Sequence, residues 1–171
     1  MDDIEAKLQR ADRLYAVTQR IGFTLWQIQE LENCAAHYFV LVAQARKGMG
    51  QTAGYELIDK ALSKTFGSTI QQMCKAGLLS AELEGRFRAL LMERNWLVHK
   101  SRAASRNVIH NDRAMSVFLH RLDGMVEESD KLLHEVFALS EAHVKSLGIT
   151  QQEVDKSAAD LIEQWHGPNT I

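Results

Sequence analysis

The stretch ERNWLVHKSR, residues 93–102, sets Arg94, Asn95 and His99 within six positions. These residue types can do acid–base work beside an anion. Histidine titrates near neutral pH and can take or give a proton. Arginine stays charged and can grip two oxygens of a phosphate, and asparagine can orient a partner by hydrogen bonds. On an ideal helix Asn95 and His99 share a face, one turn apart. Arg94 lies roughly 140° from His99 by the helical period, so they meet only if the arginine stem wraps round or the last turn is distorted. Trp96, Leu97 and Val98, between them, point into a core or across a partner. A plainer reading has Arg94 paired with Glu93 or Glu84, Asn95 in solvent, and His99 beside the negative end of the helix.

Charge marks the same region. Residues 84–122 carry eight bases (Arg86, Arg88, Arg94, Lys100, Arg102, Arg106, Arg113, Arg121) against Glu84, Glu93 and Asp112, a net of +5. Residues 123–171 carry ten acids against Lys131, Lys145 and Lys156, a net of −7, while the whole chain is only −2. A basic island in a mildly acidic protein is what a local polyanion site needs, although helix surfaces are commonly charged. The acidic segment is expected to repel nucleic acid or to face a basic partner.

Other chemistries find little support. There is no phosphate-cradling glycine loop, no GxSxG and no HExxH. His120 and Asp123 stand three apart and could share a metal, but such pairs are common on helix surfaces; no metal and no cofactor is expected. Cys34 and Cys74 are widely separated, without CxxC spacing, and read as small buried hydrophobes in a reducing compartment. Phe23, Trp26 and Tyr38 read as core or interface packing rather than a base-stacking platform.

The elements that must hold this motif are helical. The 171 residues are 46% hydrophobic, with one proline, Pro168, and ten glycines placed mostly between periodic segments. The spacing predicts helices over 3–21 (Ile4, Leu8, Ala11, Leu14 or Tyr15, Thr18, Ile21) and from Phe23 towards Lys47, meeting at a kink or break at Gly22. GMGQTAG, residues 48–54, reads as a loop. Shorter helices follow at about 55–65 and from Ser68, whose spacing to Gln71 fits a capping box, to near Gly77. A long helix over 81–101, a polar connector, and a second long helix over 113–147 come next. Thr150 and Glu153 open a terminal helix, 150–165, stopped at His166-Gly167-Pro168. The expected fold is all-α, an antiparallel helical bundle formed by residues 1–171 as a single domain. No apolar run approaches a membrane span, and MDDIEAKLQRADR lacks the pattern of a leader, so a cytoplasmic location is expected.

RNWLVH, late on a long helix that another long helix follows, resembles the signature of the HEPN superfamily, a helical group rich in toxin and defence ribonucleases. Its motif is an arginine, usually a polar residue, a few variable positions, and a histidine; Arg94, Asn95 and His99 fit it. The resemblance covers about residues 20–147 as a four-helix core, with the leading and terminal helices as additions. It implies a metal-independent endoribonuclease, possible only on RNA because the ribose hydroxyl attacks its own phosphorus and leaves a 2′,3′-cyclic phosphate. His99 would be the general acid/base, Arg94 the phosphate clamp, and Asn95 an orienting residue. Arg86, Lys100, Arg102 and Arg106 would line the RNA cleft of a homodimer, with an antitoxin protein as a further partner. Members silenced by tyrosine modification carry a tyrosine two places after the histidine; here that position is Ser101. The alternative is a non-catalytic module of the same fold that binds nucleotide, RNA or protein.

Overall fold

Val17, Thr24, Ile28, Leu31 and Ala35 recur at helical steps, and all five are buried along one uninterrupted helix, α1 (Asp2–Ala43). The computed structural model describes residues 2–167; Met1 and 168–171, including Pro168, lie outside the described residues. At 42 residues, α1 is about 63 Å long. Gly22 therefore does not end a helix. It sits on the outer face, with nothing within 4 Å of a Cβ built there. A mid-helix glycine costs about 1 kcal/mol relative to alanine, whereas burying one large aliphatic side chain contributes about 1.5–3 kcal/mol. Val17 and Ile28 on either side outweigh it. The first turns of α1 carry Ile4, Leu8, Leu14 and Tyr15 exposed, because α5 comes alongside only at Arg13, which bonds the Ile109 carbonyl at 3.3 Å and pairs with Asp112.

Two short helices follow, α2 (Gln51–Leu62) and α3 (Phe66–Lys75). α2 starts inside the expected loop, because Gly50, at φ +79°, supplies the left-handed turn that lets the chain re-enter a helix at once. α3 starts two residues earlier than Ser68. Thr65 is its cap, accepting from the Ser68 amide at 3.3 Å, and the earlier start buries Phe66 edge-on against Phe87 with ring centroids 6.1 Å apart.

Ser80 caps α4 (Ala81–Ala104), accepting from Leu83 N at 3.2 Å. The expected polar connector winds into a 3₁₀ segment (Ser105–His110) that buries Val108, and Asn111 caps α5 (Asp112–Ser146). The Thr150/Glu153 capping box forms as the spacing predicts and opens α6 (Gln151–His166), none of whose residues is buried.

The fold is an all-α bundle, with no strand among the described residues. α4 runs antiparallel to its two long neighbours: Arg94 meets Glu32, Arg86 meets Glu128, and Arg121 meets Glu93. α1 and α5 consequently run parallel, with Arg20 on Asp123 and the Ser129 hydroxyl on the Gln27 carbonyl at 3.1 Å. One core, from Val17 through Phe87 and Leu97 to Val136, joins α1, α3, α4, the 3₁₀ segment and α5. No described helix is long and apolar enough to cross a membrane.

Candidate functional site

α4 carries the motif, and its burial pattern decides what the motif can reach. Phe87, Leu90, Leu97 and Ser101 turn into the core. The opposite face is an exposed row at alternating steps of four and three: Ala81, Gly85, Arg88, Met92, Asn95, His99 and Arg102. Met92 is 72% exposed. Among the described residues, neither Asn95 nor His99 has a side-chain hydrogen-bond partner. α4 continues to Ala104, so His99 is not in its last turn, and the dipole contact of the plainer reading falls to Arg102 instead.

Arg94 takes neither expected partner. Glu84 is held by Arg88 and Glu93 by Arg121. Arg94 Nε instead donates to Glu32 Oε1 of α1 at 2.9 Å, in a half-buried pair. This anchors the guanidinium by its edge, and its Nη groups make no hydrogen bond among the described residues. The helix stays regular through His99, so one chain brings Asn95 and His99 onto one face but does not bring Arg94 into contact with His99. Of the residues between them, Leu97 is buried, Trp96 packs on Phe118 with centroids 5.8 Å apart, and Val98 is half-exposed.

The basic island divides. Arg86 leaves the set of RNA-facing residues: it is engaged by Glu128 at 2.7 Å and Glu135 at 3.8 Å on α5, and the Glu128 hydrogen bond raises its pKa above the ordinary arginine value. Arg88, Arg94 and Arg121 are likewise neutralised by Glu84, Glu32 and Glu93. Lys100, Arg102, Arg106 and Arg113 make no ion pair among the described residues. All four lie where α4 ends and α5 begins, at the His99 end of the bundle. Cross-helix pairing thus trims a diffuse charge excess to a compact one.

The sequence reading missed one arrangement. Arg121 makes two hydrogen bonds to Glu93, at 2.7 and 3.0 Å, and its Cζ lies 3.5 Å over the Trp96 ring. Glu93, Trp96 and Arg121 form a stack that locks α4 against α5 beside the motif. An Arg/Glu pair 28 residues apart gave no local signal.

The remaining candidates resolve simply. Asp123 is taken by Arg20 and His120 is exposed, and no cluster of three or more metal-ligating side chains forms among the described residues. A Glu-x-x-His spacing, Glu163 to His166, lies on α6 as a lone exposed pair. Cys34 and Cys74 are free and half-buried. Burial first, then Glu30, pushes the Cys34 thiol up to about 11, and burial chiefly raises Cys74, so neither is a poised nucleophile. Tyr38 is buried, whereas Phe23 and Trp26 face solvent, so the aromatic stripe is split. Ser101 is buried, which leaves a surface reagent no access to that position. Comparison of the chain with protein-family models, with curated proteins and with solved structures finds no match.

Proposed function

We propose that this protein is a metal-independent endoribonuclease of the HEPN type, working as a symmetric homodimer as the toxin of a toxin–antitoxin or phage-defence system in the cytoplasm. The observation that carries the reading is the exposed row on α4, where, among the described residues, Asn95 and His99 stand unpartnered beside four unpaired bases. A side chain with no structural bond to make is free for substrate. In this reading His99 moves the proton at the ribose hydroxyl or the leaving oxygen. Arg94, anchored at Nε by Glu32, offers its Nη groups to two phosphate oxygens, and Asn95 orients the scissile group.

One copy makes a sparse site because Arg94 and His99 diverge round the helix. Two copies crossing at the α4 rows would set one copy's Arg94 and the other's His99 along a shared cleft. The four–three spacing of Met92, Asn95, His99 and Arg102 is the kind that lets two helices pack along a seam. Light scattering at micromolar concentration is expected to give a mass of at least two chains. Met92→Asp, at a site too exposed to harm the fold, is expected to weaken that pairing about tenfold, as an anchor residue would. A monomer mass for the unaltered chain would overturn the dimeric site.

RNA affinity is expected to reside in Lys100, Arg102 and Arg106. Reversing all three to glutamate should weaken binding broadly and flatten the salt dependence by about two log units per log unit of salt, at roughly 0.7 per single-strand phosphate contact. Arg86→Glu should leave the slope unchanged, and filter binding across a salt series separates the two. The divergence of Arg94 from His99 within one chain favours a second reading, a binding module without catalysis. Incubating RNA with the wild type and with His99→Ala decides between them.

A further inference from the structure

α6 is amphipathic, yet none of its described residues is buried. Val154, Leu161, Ile162 and Trp165 recur on one side of it, and Ile162 and Trp165 are 51% and 74% exposed. Its other side carries Glu153, Asp155, Asp160 and Glu163 against Lys156, four acids and one base, a net of −3.

The same end of the bundle holds an apolar groove. Between α1, α2 and α5 lies a hollow of about 600 Å³, walled by Leu41, Ile58, Val136 and the half-exposed Phe137, with Glu30 and His37 lining it towards the middle of α1. It shares Leu41 and Ala45 with a second hollow of about 460 Å³ that reaches Ile149, at the foot of α6. Four bases, Arg46, Lys47, Lys60 and Lys64, stand around this end of the groove, in the second hollow and in a third beside it. None makes an ion pair among the described residues. An acidic helix with an apolar stripe is complementary to an apolar groove whose Ala45 end is flanked by bases.

The turn between them decides whose helix fills the groove. Leu147 N bonds the His143 carbonyl at 3.2 Å, Gly148 holds a left-handed φ of +77°, and the Thr150/Glu153 capping box closes the other side. Hydrogen bonds on both flanks brace this turn, and α6 leaves it with none of its residues buried, so it does not fill its own chain's groove. A second copy can present its groove to α6 with the turn as it stands.

We propose that α6 docks in the groove of a second copy of this chain, and that two copies exchange these helices reciprocally. Trp165 and Ile162 enter the apolar floor, and the acidic side of α6 meets Arg46 and Lys47. None of the residues lining the groove lies on α4, so the exchange is independent of the ribonuclease reading and its test uses no RNA.

The test is a chain with Cys34→Ala and Cys74→Ala that carries Phe137→Cys in the groove and Ile162→Cys on α6, treated with a short bismaleimide. The expected product on a denaturing gel is a covalent dimer. Adding Trp165→Asp should lower its yield about tenfold, the loss typical of a buried aromatic anchor. Arg46→Glu with Lys47→Glu should lower it as well, and circular dichroism should show each variant as helical as the parent. An internally linked monomer, meaning that α6 packs on its own chain, would overturn the proposal. So would no link at all, or an equal dimer yield from Ile162→Cys alone, which would mean α6 pairs with α6.

Discussion

His99→Ala is expected to lower RNA cleavage by at least about 10²-fold, the usual contribution of a positioned acid/base group, while helicity and melting temperature stay at wild-type values. The second half follows from the site: His99 is exposed and makes no side-chain bond among the described residues, so its removal takes nothing from the fold. Arg94→Ala is less clean, because it leaves the half-buried Glu32 without its partner, at a cost of order 1 kcal/mol. Arg94→Lys keeps the charge beside Glu32 and removes the two-pronged grip, so it should lose cleavage and keep stability. Cleavage should survive excess chelator, leave a 2′,3′-cyclic phosphate, and spare DNA of the same sequence. Ser101→Ala should leave the rate unchanged, since Ser101 is turned into the core. Equal, negligible cleavage by wild type and His99→Ala would make the protein a binding module. Cleavage that chelator abolishes would sink the metal-free mechanism.

Phe87→Ala is expected to cost about 3–5 kcal/mol of stability, the range for deleting a buried aromatic ring. Phe87 is fully buried and packs edge-on against Phe66, so the change leaves a void shared by α3 and α4. It removes little from the surface that carries the motif. The expected outcome in a denaturant titration is a large fall in the midpoint with an unchanged slope. If function is assayed below that midpoint, cleavage should persist, since Asn95 and His99 sit on the opposite face of α4. A loss below about 1 kcal/mol would mean that the core does not close around this ring. It would also mean that burial of Phe66 against Phe87 does not set the early start of α3.

Helix was legible because its signals are local. The buried face of α5, the cap at Thr150 and the stop at Gly148 all depend on residues within a turn or two of one another. Reading failed where distant burial outweighed a local preference. Gly22 signals a break, but the faces on either side of it serve one core, and α1 runs through. Ser68 and Gln71 have capping-box spacing, but Phe66 is needed against Phe87, and Thr65 caps instead.

The candidate site divides along the same line. The sequence by itself determined that Arg94, Asn95 and His99 ride on a helix, that Asn95 and His99 share a face while Arg94 diverges, and that bases gather around them. It could not determine which of those bases is free. Glu32, Glu93, Glu128 and Glu135 lie between 28 and 62 residues from the arginines they pair with, and only the packing of α1 and α5 against α4 brings them to Arg94, Arg121 and Arg86. Coulombic pairing depends on distance in space, which sequence separation does not encode. The tertiary structure therefore decided that, among the described residues, Lys100, Arg102, Arg106 and Arg113 remain unpaired at the His99 end and α6 keeps its apolar side uncovered.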